Sequence, residues 1–111
     1  MKYLLLVYSD EKLLAGVADR ECMDNSEQLK QAGHHIAAEA LQPIHTATTV
    51  RVRHGKLSVT DGPFAETKEQ LAGFYLLEAR DLNEAILLAS RIPPARVGSI
   101  EVRPVRELRP D

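Results

Sequence analysis

The hydrophobic and polar positions alternate in ways that predict strands at both ends of the chain. Lys2–Tyr8 and Leu71–Ala79 carry apolar residues on both alternating faces, which predicts strands covered on both sides. Ser99–Val105 predicts a final strand, and its Pro104 favours an edge position, because proline cannot donate to a strand ladder. A further short strand is expected within His34–Pro43.

The clearest local pattern is a β-hairpin over residues 48–60. Thr48, Val50 and Val52 alternate with polar residues, and the same period of two returns at Leu57 and Val59. Between the runs stands His54-Gly55, a suitable two-residue turn because glycine accepts positive φ freely and histidine tolerates it better than most residues.

Two segments have helical patterns. Arg20–Ala32 predicts a helix that ends at Gly33, although its apolar stripe is weak, with Met23 and Leu29 as main members. A second helix begins at Asp81, which stands at capping-box spacing from a glutamate. Its expected apolar stripe is Leu82, Ala85, Ile86 and Ala89, and Pro93 and Pro94 end it.

The order of these elements predicts one α+β domain over residues 1–111. A strand, a helix, several strands and a second helix before the last strand indicate a ferredoxin-like split-βαβ fold with an added β-hairpin. Two helices cover only one face of such a sheet, yet two strands are apolar on both faces. We therefore expect a homodimer in which a second copy covers the remaining face.

Composition narrows the function classes further. The chain is 44% apolar and 27% charged with a formal net charge of −2, which argues against non-specific nucleic-acid binding. Cys22 is the only cysteine, so an internal disulfide and a cysteine zinc site are excluded. No signal peptide or membrane-spanning run is visible, and we expect a cytoplasmic protein without membrane contact, metal or cofactor.

Candidate chemistry concentrates between the hairpin and the Leu71 strand. Asp61, Glu66 and Glu69 surround Lys68 in a segment that opens with an Asp-Gly-Pro turn signal. A carboxylate in a cleft can act as general base and a lysine can stabilise an oxyanion. The alternative is a polar connection with ordinary surface ion pairs.

Other candidates are spread along the chain. His34 and His35 point to opposite faces if they lie on a strand, so at most one faces a given pocket; we take His34 as the candidate and a packed or partly exposed histidine as the alternative. Arg51 is suited to an anionic group, or else faces solvent. Further candidate substrate-binding residues are Gln42, Glu39, Phe64 and Tyr75.

The segment DGPFAETKEQLAGFYLLEA resembles the signature of the DGPF branch of the YCII-related family, and the likeness extends over most of the chain. This resemblance implies the dimeric α/β-barrel version of the ferredoxin-like fold. It maps the family aspartate to Asp61. Many members carry a histidine within the first helix; this chain has none there, and His34 and His35 follow just after it.

The resemblance leaves two hypotheses of function open. One is a cofactor-free lyase or isomerase acting on a small aromatic or oxygenated compound, since one YCII-related protein is a dehydrochlorinase of a chlorinated hydroxyhydroquinone. In it Asp61 is the base, His34 or Glu66 its partner, and Lys68 or Arg51 the electrophilic support. The other is a non-catalytic metabolite-binding or regulatory module, because DGPF proteins are often encoded beside extracytoplasmic-function sigma factors.

Overall fold

A four-stranded antiparallel sheet organises the chain in the computed structural model, which describes residues 1–110. Its strands are β1 (Lys2–Ser9), β2 (His35–Ala40), β5 (Gln70–Glu78) and β6 (Gly98–Pro104), in the spatial order β2-β5-β1-β6. This order and the antiparallel pairing confirm the predicted ferredoxin-like fold. β6 lies at an edge, as Pro104 predicted.

Within the described residues, three helices connect the strands. They are α1 (Glu11–Leu14), α2 (Asp19–Gln31) and α3 (Leu82–Ser90), with 3-10 turns at Ile44–Thr46 and Pro93–Arg96. α1 was not predicted, although Asp10 caps it by accepting a hydrogen bond from the Lys12 N–H at 2.8 Å. No helix of the described chain is long and apolar enough to cross a membrane.

The core lies between the helices and one face of the sheet. Tyr3, Leu5 and Val7 of β1 alternate with half-buried residues and are at most 4% exposed. The other core residues are Tyr75, Leu77, Ala79, Leu29, Ala85, Leu88, Ala89 and Ile92. The alternation follows from the period of two in a strand, which sends every second side chain toward the helices.

The opposite face of the sheet, which we call the open face, carries apolar side chains from the two central strands. Leu4 pairs with Leu76 and Leu6 pairs with Phe74, and all four are half-buried in the single chain. The two-sided apolar character predicted for β1 and β5 is therefore present. The buried cluster contains none of these open-face residues, because the helices pack on the other side.

The predicted hairpin consists of β3 (Thr48–Arg53) and β4 (Lys56–Asp61), which form a separate two-stranded sheet. Its turn lies at His54 and Gly55, with φ of 53° and 75°, as the turn chemistry predicted. The register pairs Val50 with Val59 and Val52 with Leu57. These four residues therefore share one face.

The predicted stripe of α3 was only partly right. Ala85 and Ala89 are buried, but Leu82 and Ile86 are 49% and 51% exposed, and Leu88 takes their place in the core. The helix is apolar around most of its circumference, so its own sequence does not decide which side meets the sheet. The capping prediction was correct, because Asp81 Oδ1 accepts a hydrogen bond from the Glu84 N–H at 2.9 Å.

Candidate functional site

A cavity lies between α2 and the β2 side of the sheet; we call it the α2 groove. Its volume is about 800 Å³. The helix contributes residues at spacings of three and four, so a single face of α2 overhangs the sheet. These helix residues are Asp19, Cys22, Met23, Ser26, Glu27 and Lys30.

Small residues explain why this space stays open. The sheet beneath the helix carries Ala38, Ala40, Ala72 and Gly73, and the facing helix positions include the short side chains of Cys22 and Ser26. Gly73 must be small, because a Cβ there would meet the Glu39 carbonyl oxygen at 2.7 Å. Short side chains on both walls cannot meet across the gap, and a groove remains.

The groove combines an apolar floor with polar side chains from the helix. Val7 and Tyr75 are both buried and line it from the central strands. His35 joins them from β2, opposite Leu77 on the neighbouring strand. This mixture of an apolar, partly aromatic surface with a few polar groups is typical of small-molecule sites.

Cys22 is the one thiol in the groove, and it is half-buried. Burial raises the pKa of this thiol, and the carboxylates of Asp19 and Glu21 raise it further. A raised pKa lowers the fraction of reactive thiolate at neutral pH. Arg96 only partly offsets these effects, so Cys22 is a weak nucleophile at neutral pH, but its alkylation can measure access to the groove.

A second cavity of about 370 Å³ adjoins the groove and shares Leu14, Val17, Asp19 and Ala72 with it. Gln42 lines this smaller cavity. Glu11 forms part of its wall and accepts a hydrogen bond from the Ile44 N–H at 2.9 Å. This bond fixes the segment after β2 against α1.

The structure does not bring the four predicted catalytic residues together in a cavity. Asp61, Glu66 and Lys68 are exposed and line neither cavity. His34 lies outside both as well, and its Nδ1 is 2.8 Å from the Glu78 carbonyl oxygen. Their catalytic role stays a prediction, and the cavity geometry does not support it.

Asp61 does not hold the turn that follows it. Within residues 1–110 its carboxylate makes no hydrogen bond or ion pair. The turn is held by Gly62, whose N–H donates to the Ala47 carbonyl at 2.7 Å and whose carbonyl accepts from the Thr49 hydroxyl at 2.8 Å. Residues 62–69 contain no helical turn, so Glu66 and Glu69 do not share a helix face.

Buried Gln70 holds the rest of this segment, a role that the sequence did not reveal. Its side-chain amide donates to the carbonyls of Ala65 and Thr67 at 3.1 and 3.0 Å. The Ser99 hydroxyl donates to Glu69 Oε1 at 2.7 Å and joins the segment to β6. The polar loop is therefore structurally ordered from its C-terminal end.

The predicted substrate-binding residues other than Gln42 separate into two groups. Tyr75 and Glu39 line the α2 groove, although Glu39 pairs with Phe74, which places its side chain on the open face. Half-buried Arg51 lies on the polar face of the hairpin, and Phe64 is 80% exposed. Arg51 and Phe64 line neither cavity.

Comparison with known proteins agrees with this fold. A family model for the YCII-related domain matches residues 1–109. The chain belongs to the YCII-related family. An uncharacterised protein of Rhizobium meliloti is 37% identical, and the match covers 99% of this chain and 96% of that relative. The resemblance seen in the sequence is thereby confirmed at the level of the family.

Apart from Glu39 and Tyr75, the groove residues of this YCII-related domain were missed because no motif marks them. One signal was the weak stripe of α2, where Cys22, Ser26 and Glu27 stand at positions that a packed helix would give to large apolar residues. The alanines of β2 were a second signal. Within residues 1–110, no group of three or more His, Cys, Asp or Glu side chains is arranged to hold a metal ion.

Proposed function

We propose that this YCII-related domain is a homodimer that binds a small aromatic or oxygenated molecule in the α2 groove. The observation that supports binding is the groove itself, an opening of about 800 Å³ between a polar helix face and an apolar sheet. Ligand sites are typically about 300–1,000 Å³ and largely preformed. The groove lies within this range.

The charges around the groove narrow the ligand class. Asp19 and Glu27 supply carboxylates from α2, and Lys30 supplies one ammonium group. The carboxylates disfavour a strongly anionic ligand through like-charge repulsion. The floor of Val7 and Tyr75 favours an apolar or aromatic body. A neutral compound with hydroxyl or amine groups fits both features.

Support for the homodimer comes from the open face. Its apolar side chains continue across both central strands, and soluble monomers rarely leave such a patch in water. The DGPF segment at residues 61–64 resembles the signature of a branch for which a dimeric barrel is expected, and this resemblance supports the proposal. A cytoplasmic location belongs to the same proposal, since a single cysteine cannot form an internal disulfide.

A cofactor-free lyase or isomerase is the second candidate, and His35 is the observation that favours it. His35 shares the groove with Glu27 and Lys30, and these side-chain types can transfer protons to and from a bound substrate. If the domain is an enzyme, His35→Gln abolishes turnover while ligand affinity changes little. A purely binding or sigma-factor-associated module shows no turnover with either protein.

Alkylation of Cys22 tests the binding proposal directly. The thiol is the only one in the chain and lines the groove, so a compound that occupies the groove slows its reaction with iodoacetamide. We expect protection by hydroxylated aromatic compounds and little protection by aliphatic dicarboxylates. Measurement above neutral pH compensates for the raised pKa of the thiol.

A pair of variants supplies the control. Ser26→Leu places a larger side chain in the groove and is expected to remove protection, whereas Gln28→Leu introduces the same side chain at an exposed position outside it. If protection is equal in the two variants, the compound binds elsewhere. If no compound of the panel slows alkylation of the wild-type protein, the proposed ligand class is wrong.

A further inference from the structure

The β3–β4 hairpin has one apolar face that nothing in the single chain covers. Val50, Val52, Leu57 and Val59 share this face and are 59–68% exposed. The other face carries Thr49, Arg51, Arg53, Lys56, Ser58 and Thr60. Among residues 1–110, no other helix or strand packs extensively against the hairpin.

The dimensions of the molecule agree with a hairpin that stands away from the body. The radius of gyration is 15.8 Å and the Cα extents are 46 × 46 × 19 Å. A compact domain of this length has a radius of gyration of about 13 Å. Residues 105–110, which form no helix or strand, add to the extension. The molecule is thus broad and thin, as expected for a hairpin that stands away from the body.

Such a hairpin is unfavourable in a free monomer. Four aliphatic side chains at this exposure form a patch on the order of 400 Å², comparable to the largest patch on a typical monomer. A two-stranded hairpin without a packed face is also marginally stable in water. The sequence nevertheless keeps the strict apolar alternation on both strands. An apolar partner surface accounts for both facts.

We infer that the β3–β4 hairpin is a dimerisation arm, which packs its apolar face against the body of a second copy of this chain. This inference rests on the homodimer of the proposed function and adds the arm to its interface. It makes the contact reciprocal, because each copy both extends an arm and receives one.

Interface area favours the second copy as the occupant. A standard interface buries about 800 Å² of accessible surface on each partner. The apolar patch of the hairpin, on the order of 400 Å², is about half of that value. In a symmetric dimer each copy contributes one such patch and covers one, so the two hairpins add a large share of the area that a stable dimer needs.

Adjacent residues on β4 allow a matched test. Val59→Glu places a carboxylate on the apolar face, and Ser58→Glu places the same group on the polar face; both positions are exposed in the single chain. We expect Val59→Glu to raise the dimer dissociation constant roughly tenfold or more, because an unpaired charge is costly to bury. Ser58→Glu should change it less than about twofold. Analytical ultracentrifugation measures both, and circular dichroism checks folding.

Isotope-filtered nuclear Overhauser spectroscopy on a mixture of labelled and unlabelled wild-type protein provides a measurement that needs no variant. We expect contacts between copies from the methyl groups of Val50, Val52, Leu57 and Val59. A wild-type monomer would overturn the homodimer and the arm together. A wild-type dimer with no such contacts, and equal dissociation constants for both variants, would overturn the arm and leave the homodimer standing.

Discussion

Leu76 and Leu77 are neighbours on β5 and lie on opposite faces of the sheet. Replacing each one by alanine therefore distinguishes the contribution of the core to folding from the contribution of the open face to dimerisation. Leu77 is 0% exposed and belongs to the core between the sheet and the helices. Leu76 pairs with Leu4 on the open face and is half-buried in the single chain. The two alanine variants remove the same atoms from different environments.

The expected magnitudes differ for this reason. Leu77→Ala leaves a cavity in the core and should lower the free energy of unfolding by about 3 kcal/mol, within the 2–5 kcal/mol range of such changes. It should leave the dimer dissociation constant unchanged when measured under folding conditions. Leu76→Ala should weaken the dimer by about 1–2 kcal/mol per copy, since each methylene group that a partner buries contributes about 0.8 kcal/mol.

Urea unfolding at two protein concentrations, together with sedimentation equilibrium, measures both effects. A dimer that dissociates on unfolding has a midpoint that rises with protein concentration. We expect Leu77→Ala to lower the urea midpoint at both protein concentrations. We expect Leu76→Ala to reduce the difference between the midpoints measured at the two concentrations. If Leu76→Ala leaves the dimer as tight as in the wild-type protein, the open face is not the dimer interface and the reasoning fails.

Three further predictions follow from particular contacts. Asp61→Asn should change the free energy of unfolding by less than about 0.5 kcal/mol, because the carboxylate makes no bond within residues 1–110; a larger loss in a urea titration would show a structural role. The N-terminal ammonium group of Met1 lies 2.8 Å from Glu78 Oε1 and lowers the pKa of that carboxyl below its ordinary value of 4.5. A lowered pKa in the folded state gives stability that is present above the unfolded pKa and is lost as the pH falls. Glu78→Gln should therefore flatten the acid side of the profile of thermal stability against pH. An unchanged profile would refute the contribution of this ion pair to stability. Gly73→Val should disrupt the pairing of β2 with β5, because its Cβ would meet the Glu39 carbonyl oxygen at 2.7 Å; amide exchange of β2 that stays slow would contradict this.

Local chemistry made parts of the fold predictable from the sequence. His54-Gly55 specifies the hairpin turn through residues that accept positive φ, and Asp81 specifies the start of α3 through a side-chain cap. These signals act over two to four residues, so they can be interpreted from the sequence without knowing the tertiary structure. The apolar residues predicted on both faces of β1 are likewise present, since Leu5 lies in the core while Leu4 and Leu6 lie on the open face.

The α2 groove could not be predicted in the same way, because it depends on residues that meet only after folding. Ser26 and Ala38 lie in different elements, and the space between them exists because both are small. Asp61 is a predicted catalytic residue that belongs to the DGPF segment. It lies at the end of β4, on the same face of the hairpin as Val59. It is exposed there and lines neither cavity.

The central claim is that the α2 groove binds small molecules, and amide chemical shifts test it most directly. Phenol and hydroquinone, titrated into isotope-labelled wild-type protein, serve as neutral aromatic probes. We predict saturable shift changes centred on Val7, Cys22, Ala38 and Tyr75. Changes centred on residues 61–69, or no saturable change at any residue, would contradict the account.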